Sequence, residues 1–342
     1  MNGRRRLGSQ YELDELLGRG GMGEVYRARR VDDGTSVAIK VLKSEYAGDR
    51  KLVARFIQER DILLGLRHPN LVRVRDLVAE GDDLAIVMDL VEGGDLRETL
   101  AAKGGTLPAA VALEIGAQLF DALQLVHDAG VVHRDVKPDN VLVDRDGGYQ
   151  LTDFGIASLA DSTQSVTGAF TGTYAFCAPE LLQGKRAAEQ SDVYGLGATL
   201  YALAAGQAAF VTKEDATPAA VILRIVSQPA DPLPAWVPDD LRAVISRAMA
   251  KEPTNRYQSA RELLEAIEAL DRSGDARPGR HPKHVAGLSS SSPQETSLDE
   301  ASTVTRKVPV PPLDAPTVAR SAPTPASSTP TCRACSPPTR AW

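Results

Sequence analysis

The densest collection of reactive side chains in this sequence is His133-Arg134-Asp135-Val136-Lys137-Pro138-Asp139-Asn140, followed after Asn140 by Asp153-Phe154-Gly155. Within about twenty residues it offers a candidate base, a lysine that can reach a phosphate, and two oxygen ligands for magnesium. Those groups are most of the polar equipment that phosphoryl transfer from a nucleotide requires. Such chemistry also needs a cover for the phosphates and a second cation, and both should lie on other elements.

The cover lies upstream. Tyr11 to Leu17 reads as a strand leading into Gly18-Arg19-Gly20-Gly21-Met22-Gly23-Glu24-Val25, and Val25 to Arg29 reads as a returning strand before the Asp32-Asp33-Gly34 turn. A dinucleotide-binding loop of similar spacing would run from a strand into a helix. A hairpin is therefore expected, whose glycines let the backbone close over phosphates without side-chain obstruction. The next strand, Ser36 to Leu42, carries Val37-Ala38-Ile39-Lys40, with a small residue that leaves room for a flat base and a lysine beyond it.

With Ala178-Pro179-Glu180 downstream, these segments resemble the eukaryotic-like (Hanks-type) protein Ser/Thr kinases of bacteria over residues 11–271. The resemblance implies an α+β, bilobal protein kinase fold. Its parts are a small β-rich lobe at 11–88, a hinge at 89–94 and a large helical lobe at 95–271. It implies ATP with Mg2+, or Mn2+ in its place, and protein substrates. Leu17, Gly18, Gly20, Gly23, Val25, Ala38 and Lys40 are assigned to the nucleotide, with Leu142 beneath the adenine, the Asp89 carbonyl and Val91 backbone bonded to the base, and Met88 behind it. Asp135 accepts the hydroxyl proton, Lys137 neutralises the transferred phosphoryl group, and Asn140 and Asp153 hold metal. Glu59, on a helical pattern over residues 55–64, is the counter-ion of Lys40; Asp61 is the substitute, and a solvated helix charge is the plain alternative. His133 is expected to pack against Phe154 and to be neither acid nor base.

The resemblance places an activation segment from Gly155 to Glu180. Arg134 is the guanidinium that a phosphate on Thr167, Thr171 or Ser165 would pair with, in that order of preference. Thr173 is expected near Asp135 and Lys137, Asp192 to hold the catalytic loop's backbone, and Arg256 to pair with Glu180. That last pair separates protein kinases from small-molecule phosphotransferases, and a scaffold without catalysis would lack one of Lys40, Glu59, Asp135, Asn140 or Asp153. An active protein kinase, autophosphorylating on its activation segment and serving signal transduction, is the expected reading.

Composition frames these motifs. The 342 residues are 43% apolar and 25% charged, enough for one two-lobed domain with residues over. From Ser273 no aromatic residue occurs until Trp342, and 12 of the 22 prolines fall there. The expectation is a disordered tail over 272–342, behind a kinase domain and a short leader at 1–10. Thr303 and Thr305 in that tail, with Asp299 and Glu300 upstream, are candidates for capture by a phosphothreonine-binding partner. A net charge of −6 and the absence of a large basic block argue against nucleic acid. No run of eighteen uncharged apolar residues and no signal peptide is apparent, so a cytoplasmic protein without a membrane span is expected. Cys177 is expected to pack, and Cys332 and Cys335 lack the partners of a zinc site. An activating homodimer completes the expectations.

Overall fold

A computed structural model describes residues 5–48, 53–54, 57, 60–81, 83–153, 174–212 and 217–273, all within one compact unit bounded at Lys283. Glu59, Phe154, Gly155, Ser165, Thr167, Thr171, Thr173 and the segment after 273 lie outside the described residues.

The N-terminal lobe is a six-stranded antiparallel sheet. Its strands are β1 (Arg6–Leu7), β2 (Tyr11–Arg19), β3 (Gly23–Arg30), β4 (Ser36–Leu42), β5 (Val74–Glu80) and β6 (Asp83–Asp89), in the order β1-β2-β3-β4-β6-β5. Residues directly opposite in an antiparallel pair share a face. The register Val25 to Lys40, Ala38 to Met88 and Lys40 to Ile86 therefore gathers Val25, Ala38, Lys40, Ile86 and Met88 beneath the sheet. The other face carries Val37, Ile39, Val41, Ala85 and Val87, which join Leu7, Tyr11, Leu13 and Ala28 in a second apolar cluster. Both faces of β4 are covered, which is why Val37 to Leu42 is buried without alternation.

One expectation needs correction. Residues 6–7, placed in a leader, form an edge strand whose Leu7 is fully buried in the outer cluster. A two-residue strand has no period to read, yet burying such a leucine is worth about 1.5–3 kcal/mol. Strand β5 begins only at Val74, because Leu71 bridges to Leu151 and the Val72 amide donates to the Leu151 carbonyl at 2.9 Å. The start of that segment is thus taken by the other lobe.

Between β4 and β5, among the described residues, lie two helices, α1 (Ser44–Ala47) and α2 (Arg60–Gly65), the latter burying Leu63. The C-terminal lobe is helical: α3 (Leu96–Ala102), α4 (Ala109–Asp128), α5 (Pro179–Leu182), α6 (Glu189–Ala205), α7 (Pro218–Ser227), α8 (Asp239–Ala248) and α9 (Ala260–Ser273). A short hairpin, β7 (Val141–Val143) with β8 (Tyr149–Leu151), follows a 3-10 turn at Pro138–Asn140. Helix α4 packs on α6 and α9. It is long and apolar enough to cross a membrane by composition, yet it buries Leu119, Phe120, Leu123 and Val126 in this core and carries Glu114 and Asp121. Gly130, at φ +77°, closes α4 through its amide to the His127 carbonyl, and the Val131 amide reaches Val126. This αL cap turns the chain into the segment that carries His133.

Candidate active site

Asp135 lies at the centre of the site. Lys137 Nζ meets its Oδ2 at 2.6 Å, and Asn140 Nδ2 donates both to that oxygen at 2.8 Å and to the Asp135 carbonyl at 2.7 Å. The 3-10 turn makes this possible, since it folds Asn140 back over the residues before Pro138. With its amide nitrogen committed to Asp135, the Asn140 side chain keeps its carbonyl oxygen as the metal-competent atom.

The backbone ahead of Asp135 is held by a buried carboxylate. Asp192, in the first turn of α6, accepts from the amides of His133 and Arg134 at 2.7 Å each and from His127 Nε2 at 2.8 Å. Arg134 sits at φ +70° and Asp153 at φ +65°, the two non-glycine residues in this region of backbone space among those described. Such conformations persist only where the surroundings over-determine them. Asp192 supplies that constraint for Arg134. His133 is fully buried; the Asp135 amide donates to its Nδ1 at 3.3 Å, so Nε2 bears the hydrogen that the Thr152 carbonyl accepts at 2.9 Å. Both ring nitrogens are engaged in structure, while Phe154, against which His133 is expected to pack, lies outside the described residues.

Asp153 approaches from β8. Its Oδ2 meets Lys40 Nζ at 2.7 Å, an ion pair that ties the underside of the first sheet to the second lobe. The expected partner of Lys40, Glu59, lies outside the described residues; among those described, Asp153 holds the lysine. This pairing was not legible, because it joins residues 113 positions apart. The Asp153 carboxylate and the Asn140 carbonyl oxygen fit a magnesium ion, which takes one or two protein oxygens and completes its shell with phosphates and water.

Val25 and Ala38, expected above the base, share the underside of the first sheet. Leu142, expected below the base, lies on β7, which the hinge region grips through the Asp95 to Leu142 bridge and the Val143 amide on the Gly94 carbonyl at 2.9 Å. Met88 is both pocket wall and core: Thr152 Oγ1 lies 3.7 Å from its sulfur, and it lines a small cavity with Leu63, Val72, Val74 and Ile86. Asp89 uses its amide on the Arg73 carbonyl and its carboxylate on Arg75, and Val91 is half-buried two residues on. Leu17 ends the exposed stretch of β2, and Gly18 and Gly20 have open space where a side chain would stand. Gly23 is different, since a Cβ there would meet the Val41 carbonyl at 2.1 Å. Close backbone approach requires a glycine at that position.

Glu180 and Arg256 form a two-pronged buried pair, Nη1 to Oε1 at 2.8 Å and Nη2 to Oε2 at 2.7 Å. Burial works to raise the Glu180 pKa, but the Arg256 fork and the Ser191 hydroxyl outweigh it and hold the carboxyl below its usual range. Cys177, just before this pair, has its thiol pushed up to about 12 by burial and by Asp135 and Glu180. No thiolate therefore forms there near neutrality.

Comparison with known proteins agrees with this geometry. The protein kinase domain family matches residues 11–267. Serine/threonine-protein kinase PkaA of Streptomyces coelicolor is 45% identical over 284 residues, covering 78% of this chain and 51% of that protein. PknA of Mycobacterium tuberculosis is 36% identical over 282 residues, covering 81% of this chain and 63% of PknA. The chain thus spans about half the length of the first relative and less than two thirds of the second. A crystal structure of the PknI kinase domain of Mycobacterium tuberculosis, a double mutant, superposes with a TM-score of 0.62 at 30% identity, covering 79% of this chain and 96% of that one. By the match over residues 11–267 and these relatives, the chain belongs to the protein kinase domain family, within its bacterial serine/threonine kinases.

Proposed function

We propose that this protein transfers the γ-phosphoryl group of ATP to serine and threonine hydroxyls of protein substrates. The observation that carries the reading is the Asp135 carboxylate held by Lys137 and Asn140, opposite an ion pair between Lys40 and Asp153. Asp135 Oδ accepts the hydrogen bond of the acceptor hydroxyl, orients its oxygen and takes its proton as transfer completes. Lys137, beside that oxygen, neutralises charge spreading over the equatorial phosphoryl oxygens. Lys40 reaches the α- and β-phosphates, and the hairpin between β2 and β3 covers them. Asn140 and Asp153 hold the divalent ion, magnesium or manganese, which neutralises the β- and γ-phosphates when bound. The adenine lies between Val25 and Ala38 above and Leu142 below, bonded to the Asp89 carbonyl and the Val91 backbone.

Regulation belongs to the same reading. A phosphate on Thr167, Thr171 or Ser165, placed by the protein on itself, pairs with Arg134, and Thr173 stands beside Asp135 and Lys137. The proposal extends to Glu59 as second counter-ion of Lys40, a cytoplasmic signalling role, an activating homodimer and a phosphothreonine-binding partner at Thr303 or Thr305. The test is phosphate incorporation from γ-labelled ATP with magnesium by the wild type and by Asp135→Asn, followed by phosphoamino-acid analysis. Label on serine or threonine that disappears in the variant is the expected result. Label that persists in Asp135→Asn, or that falls on tyrosine alone, overturns the assignment.

A further inference from the structure

Among the described residues, contacts join the lobes in three places. Behind the cleft, the segment before β5 is anchored to the second lobe: His68 Nε2 meets Asp121 on α4 at 3.1 Å, and Asn70 Nδ2 donates to Gln118 Oε1 at 2.9 Å and to the Tyr149 carbonyl at 2.8 Å. Within the cleft lies the Lys40 to Asp153 pair. The third set lies on the hinge and involves none of the residues assigned to chemistry.

Its centre is Glu92. One carboxylate oxygen meets Arg27 Nη1 of β3 at 2.8 Å, and the other meets Arg145 Nη2 of the turn between β7 and β8 at 2.5 Å. Arg27 is opposite Ala38 in the sheet register, so it projects from the same underside as the residues above the base pocket. Arg145 follows the strand that carries Leu142, below that pocket. Glu92 therefore spans the mouth of the cleft from its roof to its floor. Its neighbours on the C-terminal side are fixed to the floor: a Cβ on Gly93 would meet the Val143 carbonyl at 2.1 Å, and Gly94 accepts from the Val143 amide. The Arg27 hydrogen bond, with Arg145 beside it, holds the Glu92 carboxyl below its usual range, so the strap is charged near neutrality.

We infer that Glu92, with Arg27 and Arg145, is an electrostatic strap that restrains opening of the two lobes and so sets the rate at which nucleotide leaves the cleft. Opening pivots on the His68 and Asn70 anchor, and separating roof from floor stretches the Arg27 to Glu92 contact directly. These are part-exposed pairs, too weak to lock the cleft but strong enough to slow its opening several-fold. Glu15 also lies 3.7 Å from Arg27 Nε.

The inference rests on the nucleotide-binding reading, and its test separates the two. Release of N-methylanthraniloyl-ADP with magnesium is followed by stopped-flow fluorescence for the full-length wild type, Glu92→Gln, Arg27→Gln and the double variant. Glu92→Gln is expected to release about threefold to fivefold faster at low salt, the size of one part-exposed charge pair. Arg27→Gln should do the same, and the double variant should be no faster than either single one, as coupled partners require. Raising salt until the screening length falls from about 30 Å to about 3 Å should accelerate release by the wild type more than by Glu92→Gln. That difference in salt slope would not arise from a structural role of the glutamate. Equal release rates, additive single variants or equal salt slopes overturn the strap. A wild type that binds no nucleotide overturns the underlying reading and the strap with it.

Discussion

Replacing Arg256 by methionine should cost about 3–5 kcal/mol, the range for removing one partner of a buried ion pair. The structure supports the upper half of that range. Arg256 is 1% exposed and Glu180 5% exposed. Besides the two bonds to Glu180, Arg256 donates from Nε to the Ala250 carbonyl at 2.7 Å, from Nη1 to Gln190 at 2.7 Å and from Nη2 to Lys251 at 3.0 Å. The methionine variant therefore leaves a buried carboxylate held by the Ser191 hydroxyl and three part-buried carbonyls without this donor. Glu180→Gln retains volume and an acceptor, so its loss should be smaller, about 1.5–3 kcal/mol. The double variant should lose less than the sum of the two by more than about 1 kcal/mol. Urea unfolding of the four full-length proteins measures this directly, and against a typical domain stability of about 5–15 kcal/mol the changes are large. Because the folded-state pKa of Glu180 is lowered, its contribution is complete above the unfolded value of 4.5 and is lost as pH falls through the lower folded value. The wild type should thus lose its advantage over Glu180→Gln on acidification below that point. An Arg256→Met protein within about 1 kcal/mol of wild type, or strict additivity, would refute the reasoning.

Gly23→Ala forces a Cβ against the Val41 carbonyl and should destabilise the first lobe by about 1–3 kcal/mol, read as a lower midpoint in the same urea titration. Cys177 should resist iodoacetamide at neutral pH in the folded protein and react once unfolded, as followed by mass spectrometry of its peptide, because its thiol stays protonated. Burial first, and Arg256 beside it, bring the Lys251 ammonium down to about 8 while it lies 4.0 Å over the Phe210 ring. A lysine whose folded pKa is lowered carries its penalty below that value and sheds it as pH rises toward the unfolded 10.5. From pH 8 to 10 the stability of the wild type should therefore rise relative to Lys251→Met, and a parallel pair of curves would count against this.

Much of the site was legible because its residues are close in sequence or carry strong local signals. Asp135, Lys137 and Asn140 lie on one turn, and the glycines of the β2 to β3 hairpin announce it. Asp192 and Arg256 were legible only through resemblance, since nothing local says that a carboxylate on α6 accepts the amides of His133 and Arg134. Contacts between distant segments stayed hidden for the same reason. The Lys40 to Asp153 pair, the strap through Glu92 and the loss of Leu71 and Val72 from β5 to the other lobe each depend on how the lobes meet. Backbone strain at Arg134 and Asp153 was equally invisible, because neither residue type favours φ above zero strongly enough to signal it.

The central claim is that Asp135 serves the transfer step rather than nucleotide binding, and single-turnover kinetics test it most directly. Transfer from labelled ATP with magnesium to an acceptor peptide is timed for wild type and Asp135→Asn, with nucleotide affinity measured for both. Nucleotide affinity unchanged within about threefold, with transfer slowed by about 100-fold or more, is the predicted result. Transfer retained within about tenfold of wild type, or a loss explained wholly by weaker nucleotide binding, would contradict it.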